Sequence, residues 1–131
     1  MMKIVQLPGT DRRLYELVAP LVMNPAVLKQ NYNYPFRTSE DFVWFIALED
    51  NAVVGFMPVE KKKGELVINN YYIKGNDEGI LKQLLEEAIN KSGEEANLAA
   101  VVFIEHSPLF KEFGFTDEKI WTRYVKMRKG K

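Results

Sequence analysis

The chain has 131 residues, 47% of them hydrophobic, which suits one globular domain over residues 1–131. Its 18 basic and 18 acidic side chains cancel, so we expect no nucleic-acid partner, because binding to a duplex depends on excess positive charge. With no cysteine and only one histidine, His106, the sequence excludes disulfides, a cysteine nucleophile and a multi-histidine metal site, and we predict no metal.

The sequence carries no recognisable targeting signal. No stretch approaches the roughly 18 consecutive apolar residues that a membrane-spanning helix needs. The first 13 residues lack the apolar core and small-residue cleavage pattern of a signal peptide. We therefore expect a cytoplasmic protein without a membrane partner.

The first part of the chain predicts a strand followed by two helices. Residues 3–7 are apolar and precede a Pro-Gly turn, as in a short strand. Apolar residues at helical spacing follow Asp11, which is placed to cap a helix that Pro20 should kink or end. Asn24, followed by a proline, predicts the start of a second helix that runs to about Tyr32.

An aromatic loop and a β-meander follow. Residues 31–41 break the helical period and hold Tyr32, Tyr34 and Phe36. Three β-rich runs, FVWFIAL, AVVGFMPVE and ELVINNYYI, are separated by the turn signals EDN and KKKG, which predicts three antiparallel strands. Pro58 in the middle run predicts a bulge or an unpaired position.

The remaining sequence alternates helices and strands. Residues 77–91 form a strongly amphipathic helical pattern that Ser92 and Gly93 end. NLAAVVFI predicts a buried strand, SPLFKEF a short helix capped by Ser107, and KIWTRYVKM a last alternating strand. The fold class is therefore α/β (α+β), with one mixed, mostly antiparallel sheet and helices on both faces.

Gly79 stands just inside the start of the long helix, in the stretch NDEGIL. Alanine would stabilise that position by about 1 kcal/mol. Either the strand-to-helix turn is tight, or a ligand comes close to the backbone there. A helix start leaves four amides unpaired and carries a partial positive charge, which suits a pyrophosphate.

Three pieces of sequence resemble the GNAT superfamily of acyl-CoA-dependent N-acyltransferases. FVWFIALEDNAVVGFMPVE looks like the family's hairpin, and NDEGILKQLLEEAI stands where the family has its Gln/Arg-x-x-Gly-x-Gly/Ala loop and helix. SPLFKEFGF is similar to its short helix ending in Tyr-x-x-x-Gly-Phe. The resemblance implies acetyl-CoA as co-substrate and direct acetyl transfer to an amine of a small molecule or peptide.

The resemblance also implies which residues hold the cofactor. It assigns the acyl carbonyl to the main chain of the strand before the loop and the pyrophosphate to the helix start. The residues so assigned are Tyr71, Tyr72, Ile73, Asn76, Asp77, Glu78, Gly79, Ile80 and Leu81. Because strand residues alternate, Tyr71 and Tyr72 should face opposite sides of the sheet, so only one hydroxyl can face the cleft.

Several positions depart from the family's pattern. Asn76 replaces Gln or Arg, Leu81 replaces a small residue, and Phe110, also assigned to the cofactor site, replaces the tyrosine that protonates the leaving thiolate in much of the family. Asp77 and Glu78 add negative charge, which should weaken pyrophosphate binding without abolishing it. These departures favour an alternative, a weak or inactive acyl-CoA-binding or regulatory domain.

The catalytic candidates are Tyr71, Glu105 and His106. Glu105 and His106 follow the strand NLAAVVFI, near the place that the resemblance implies for the amine, and a histidine could accept its proton. A surface or capping role is the alternative for His106, and sheet packing is the alternative for Tyr71. Glu60 and Glu65 are further candidate bases or simply solvated charges.

The aromatic loop is a candidate wall of the acceptor pocket. With Trp44 nearby, it could select an apolar or aromatic amine, or it could pack over the helices. Edge strands and exposed aromatic side chains would also allow a homodimer.

Overall fold

The computed structural model describes residues 2–92 and 97–129 of the chain. The strands and helices follow in the order β1 (Met2–Pro8), α1 (Arg12–Val22), α2 (Pro25–Gln30), β2 (Phe42–Glu49), β3 (Ala52–Lys62), β4 (Glu65–Ile68), β5 (Tyr72–Ile73), α3 (Glu78–Ser92), β6 (Asn97–Phe103), α4 (Ser107–Glu112), β7 (Thr116–Ile120) and β8 (Tyr124–Lys129). Short 3-10 turns at Lys74–Asn76 and Ile104–His106 precede α3 and α4.

The strands form one mixed sheet, as the sequence predicts. Their order is β1-β2-β3-β4-β6-β8-β7, with β5 paired to β3 outside this path. Among the described strands, β4 and β6 form the single parallel pair. The turn EDN closes the β2–β3 hairpin with positive φ at Asp50 and Asn51, the backbone that a type I′ turn requires.

Helices cover both faces of the sheet and divide its core in two. The amphipathic face of α3 buries Leu81, Leu84 and Leu85 against one face, where α4 also packs. On the other face α1 buries Leu14 and Val18. Alternate residues of β2 supply the two cores, Phe45 and Ala47 to the first and Trp44, Ile46 and Leu48 to the second.

The bulge predicted at Pro58 lies in the strand that faces it. Val59 pairs with Ile68 of β4, whereas Phe56 pairs with Tyr72 of β5. Three residues, 69–71, therefore face the two residues Met57 and Pro58, which is one residue more than a regular ladder holds. The predicted run ELVINNYYI is thus two short strands joined by this bulge.

Two sequence predictions were wrong in the C-terminal part. KIWTRYVKM is not one strand, because Trp121 donates its amide to the Tyr124 carbonyl at 2.8 Å and closes a hairpin between β7 and β8. The edge strand β7 is exposed at every residue, so it shows no apolar alternation that would have revealed it. Ser107 is the first residue of α4 and makes no capping hydrogen bond.

The helix boundaries otherwise lie near their predicted places. Asp11 and Asn24 cap α1 and α2 through side-chain hydrogen bonds to Arg13 and Ala26. α1 continues to Val22, two residues beyond Pro20, while α2 ends at Gln30, before Tyr32. The predicted helix end at Gly93 lies outside the described residues.

Candidate active site

The sheet opens between β5 and β6. β4 pairs with β6 as far as Ile68 and Ala100, but β5 pairs with β3 alone. Beyond Ala100, residues 101–103 of β6 pair only with β8. The bulge before β5 therefore leaves a split between β5 and the end of β6, beside the start of α3.

A buried hydrogen-bond chain bridges this split. Tyr71 and His106 are each 3% exposed, and the Tyr71 hydroxyl lies 2.6 Å from Nδ1 of His106. The Phe103 amide donates to the same hydroxyl at 3.1 Å. Nε2 of His106 lies 2.7 Å from Oδ1 of Asn76. These hydrogen bonds thus join the bulge, the end of β6 and the turn before α3.

The partners fix where the protons lie. The Asn76 carbonyl oxygen can only accept, so Nε2 of His106 carries the proton and donates it. In the neutral ring Nδ1 is then an acceptor, and the Tyr71 hydroxyl donates to it while accepting from Phe103. The Tyr71 hydroxyl and both ring nitrogens of His106 therefore all have partners, which holds the two rings in place.

Burial sets the protonation states of both rings. Desolvation raises the pKa of Tyr71, and the hydrogen bond from Phe103 opposes it only in part. Desolvation lowers the pKa of His106, against the opposing effect of Glu105 and Glu78. At neutral pH Tyr71 is therefore a protonated phenol and His106 a neutral imidazole.

The tight turn before α3 lies at Gly75 and Asn76, not at Gly79. Gly75 and Asn76 have φ of 65° and 55°, in the left-handed region, whereas Gly79 is part of the helix. A Cβ built on Gly79 would meet only Oδ1 of Asp77, at 3.1 Å. Turn geometry therefore does not explain why residue 79 is a glycine. The space beside its Cα is occupied by the side-chain carboxylate of Asp77, which can move.

Asp77 caps the start of α3. Its Oδ1 accepts from the amide of Gly79 at 2.9 Å and more weakly from that of Ile80 at 3.4 Å. The Asp77 carbonyl accepts from Ile80 and Leu81. The amides that the sequence assigns to a pyrophosphate thus hold the protein's own carboxylate, with which a phosphate would compete. Glu78 is exposed beside them.

The other assigned cofactor residues lie in different surroundings. Tyr72 is half-buried on the face opposite Tyr71, with its ring 5.5 Å from that of Phe56, as the predicted alternation requires. The Ile73 carbonyl accepts from Nε2 of Gln30 at 3.0 Å. Leu81 and Phe110 are fully buried in the core.

A small cavity lies in the split. It has a volume of about 10 Å³, the room that one water molecule needs, and Tyr71, Phe103 and His106 contribute to its wall. Phe36 also lines it and packs edge-on against Phe56, 5.1 Å away.

A second, open cleft of about 1270 Å³ lies next to it. We call it the aromatic cleft, and its walls are the loop residues Tyr32, Tyr34, Pro35 and Arg37, the bulge residues Asn69 and Asn70, Val101 of β6, and residues 120–124 of the β7–β8 turn. The Tyr124 ring stacks on Phe103 with centroids 5.1 Å apart, so one aromatic wall separates the cleft from the small cavity.

The remaining candidates stand apart from the split. Trp44 is buried and donates its indole N–H to Thr38. Glu60 and Glu65 are engaged in ion pairs with Arg37 and Arg128. The structure therefore brings together Tyr71, Asn76 and His106, while the side chain of Glu105 is exposed.

Sequence inspection missed three groups at the site. Phe103 contributes a backbone amide, Gln30 a side-chain donor, and Asn31 an amide that links the aromatic loop to the bulge through Tyr34 and Asn70. Asn31 is only 3% exposed, and a buried asparagine is unusual. Burial cannot be read from one sequence, so no local signal marked these residues.

Solved structures share this arrangement of strands and helices. An acyl-CoA N-acyltransferase from Pseudomonas aeruginosa aligns with a TM-score of 0.81 at 14% identity, over 99% of this chain and all of that one (100%). A GNAT family acetyltransferase from Elizabethkingia anophelis with acetyl-CoA bound aligns at 0.65 and 16% identity, over 99% and 98%. PaiA N-acetyltransferase from Thermoplasma acidophilum in complex with coenzyme A aligns at 0.62 and 16% identity, over 100% and 99%.

This chain has the GNAT acyltransferase fold, as its sequence predicts. No protein-family model matches it, and no curated protein matches it. Among the described residues, no helix combines the length and apolar character needed to cross a membrane.

Proposed function

We propose that the protein is an acetyl-CoA-dependent N-acetyltransferase that transfers an acetyl group directly to an amine of a small molecule or peptide. The observation that carries the proposal is the start of α3 beside the split sheet. Gly79 there leaves space that no part of the described chain fills except the Asp77 carboxylate. Relatives of this fold are known with acetyl-CoA and with coenzyme A bound.

The amides of Gly79 and Ile80 are the groups that would hold the pyrophosphate. Their hydrogen bonds to Asp77 show that an anionic oxygen fits there. Binding requires the Asp77 side chain to turn outward, because it occupies the same donors. Hydrogen bonds to a charged group contribute about 1.5–3 kcal/mol each, so a diphosphate can displace one carboxylate.

In the proposed reaction, the amine nitrogen bonds to the thioester carbonyl carbon, the carbon–sulfur bond breaks, and one proton passes from nitrogen to sulfur. Phe110 has no proton to give, but its ring lies 6.2 Å from that of Tyr71. The Tyr71 hydroxyl, however, already donates to Nδ1 of His106, and burial raises its pKa, so it is a poor acid for the thiolate. We therefore assign Tyr71 and His106 a positioning role at the split, and water carries the proton from the amine to the sulfur.

The second candidate is a domain that holds an acyl-CoA with little or no turnover. It is favoured by the self-contained hydrogen bonding of the site, in which Asp77 caps the amides and Tyr71 closes the split. Under either function a cytoplasmic location and a homodimer remain predictions.

Ligand-dependent stability tests the proposal. Thermal unfolding would be followed with acetyl-CoA and, as a control, with the same concentration of acetate. Acetyl-CoA at about a hundred times its Kd adds roughly 2.7 kcal/mol to the free energy of unfolding, a shift of several degrees. Release of thiol in the presence of amines would then separate the two candidates. No shift at millimolar acetyl-CoA would overturn both.

A further inference from the structure

The aromatic cleft contains two charged side chains, and both are cations. Of the residues that the structure describes, Arg37 and Arg123 line it, and no carboxylate does. Arg37 is already 3.6 Å from Glu60, in an exposed ion pair. The Arg123 guanidinium lies 4.5 Å from the centre of the Tyr32 ring and makes no ion pair within the described residues. Arg123 is thus held in place by a ring while its hydrogen-bond donors face no carboxylate.

The rest of the cleft offers aromatic faces. Tyr34 of the aromatic loop is 58% exposed, and Trp121 of the β7–β8 turn is 42% exposed; both line the cleft. The cleft also holds the polar side chains Asn69, Asn70 and Thr122, but its exposed rings are surfaces against which an aromatic ligand packs. The exposed rings of the cleft therefore favour a ligand with a ring of its own.

The cleft is rigidly placed beside the split. Asn31 donates to the Tyr34 carbonyl and to Asn70, and so fixes the aromatic loop to the bulge. Tyr124 stacks on Phe103, whose ring also lies 5.5 Å from that of Tyr71. A ligand in the cleft reaches the split at the bulge residues Asn69 and Asn70 and at Val101 of β6, all of which line the cleft.

The charge of the cleft also bears on the reaction. An amine must be neutral to attack a thioester, and a nearby guanidinium disfavours the ammonium form. No carboxylate among the described residues lines the cleft, so the ammonium groups of a polyamine would find no ion-pair partner here. A carboxylate on the ligand would instead pair with the planar fork of Arg123.

Resting on the proposed function, we propose that the acceptor is a small primary amine that carries both an aromatic ring and a carboxylate, as in an aromatic α-amino acid. Its carboxylate pairs with Arg123, and its ring packs in the cleft near Trp121. Acetylation forms the carbon–nitrogen bond and breaks the carbon–sulfur bond, and the amine proton ends on the coenzyme A sulfur, so no oxidant or metal is needed.

Binding can be tested without turnover. The chain has two tryptophans, of which Trp121 lines the cleft and Trp44 is 2% exposed elsewhere, so Trp44 is an internal control. Phenylalanine added to the labelled protein should shift the indole N–H signal of Trp121 in NMR spectra and leave that of Trp44 in place. If no shift appears at tens of millimolar phenylalanine, with and without coenzyme A, the proposal is overturned.

A set of acceptors tests the chemical class. Phenylalanine, phenethylamine, alanine and spermidine would be compared in an acetyl-CoA assay. We expect kcat/KM to be highest for phenylalanine, with a loss of roughly 10- to 100-fold when the carboxylate is absent. A preference for spermidine or phenethylamine would contradict the inference while leaving the acetyltransferase proposal intact. Failure to bind coenzyme A would instead refute the proposed function.

Matched variants locate the carboxylate. Arg123→Gln should lower kcat/KM for phenylalanine by the same factor of roughly 10 to 100, and should change kcat/KM for phenethylamine less than about threefold. Arg123→Lys should have an intermediate effect, because lysine keeps the charge but lacks the planar fork of donors. Arg12→Gln is the control, since Arg12 is exposed at the start of α1 and is not among the residues that line the cleft. Equal losses for both acceptors in Arg123→Gln would show a packing role and contradict the assignment.

Discussion

The Tyr71 hydroxyl and Nδ1 of His106 lie 2.6 Å apart, in a part of the protein where the sheet is split. The first residue belongs to the bulge before β5, and the second ends the turn after β6. Their hydrogen bond joins two segments that no strand pairing connects. The pair therefore has both a structural role, closing the split, and a chemical one, holding a proton beside it.

Tyr71→Phe should destabilise the protein by about 1–3 kcal/mol. The substitution keeps the ring but leaves the Phe103 amide and Nδ1 of His106 without their buried partner. Urea unfolding measures the change, and Tyr72→Phe on the opposite, half-buried face is the control, with an expected change within about 0.5 kcal/mol. Equal effects of the two substitutions would show that the hydrogen-bond chain contributes nothing specific.

His106 should titrate below its ordinary pKa of 6.5. Because it is the only histidine, one NMR signal reports it. In the unfolded chain His106 takes up its proton near pH 6.5, whereas in the native protein it does so only at lower pH. Between the native pKa and 6.5 the unfolded state therefore binds more protons than the native state. Stability from this group is therefore complete above about pH 6.5 and decreases as pH falls through the native pKa.

His106→Gln should abolish the loss of stability at acid pH that comes from protonation of this histidine. A measured histidine pKa at or above 6.5 would mean that desolvation does not dominate its surroundings. That result would also remove the argument that a neutral imidazole accepts from Tyr71.

Local sequence patterns predicted most of the fold. Helical periodicity, caps and turn signals depend on neighbouring residues, so α3 and the β2–β3 hairpin could be foreseen, whereas the bulge expected at Pro58 lies in the strand that faces it. The β7–β8 hairpin could not, because every residue of β7 is exposed and its charged side chains show no strand period. Its turn also lacks glycine, proline and asparagine.

Asp77→Asn should strengthen coenzyme A binding several-fold. Asparagine caps a helix about as well as aspartate, so stability should hold, but the negative charge that competes for the amides of Gly79 and Ile80 is removed. Isothermal titration measures the affinity. Asp11→Asn, which changes the equivalent cap of α1, is the control and should leave the affinity unchanged. An unaltered Kd in Asp77→Asn would indicate that the diphosphate binds elsewhere.

Alanine substitutions at two nearby glycines should have opposite effects on stability. Gly75→Ala places a side chain at a φ of 65° and should cost about 1–2 kcal/mol. Gly79→Ala should stabilise α3 by up to about 1 kcal/mol, reduced by the cost of moving the Asp77 side chain. The same substitution should weaken coenzyme A binding, because the new side chain lies where the diphosphate would approach the backbone. Denaturant unfolding and calorimetric titration of both variants check this. A stabilised Gly79→Ala that binds normally would show that the glycine serves no ligand.

The candidate site was less predictable than the fold because its contacts join distant parts of the chain. Tyr71 and His106 could each be singled out, but nothing local shows that they contact each other or that Asn76 completes the chain. The same applies to Asp77, whose acidic side chain is visible in the sequence while its hold on the Gly79 amide is not.

The most direct test is an NMR titration of the isotope-labelled protein with coenzyme A. If the diphosphate binds to the amides that open α3, the largest amide shifts fall on Gly79 and Ile80 and on β5, with smaller shifts at His106 as the Asp77 cap is displaced. Shifts confined to residues away from the start of α3, or none at millimolar coenzyme A, would contradict it.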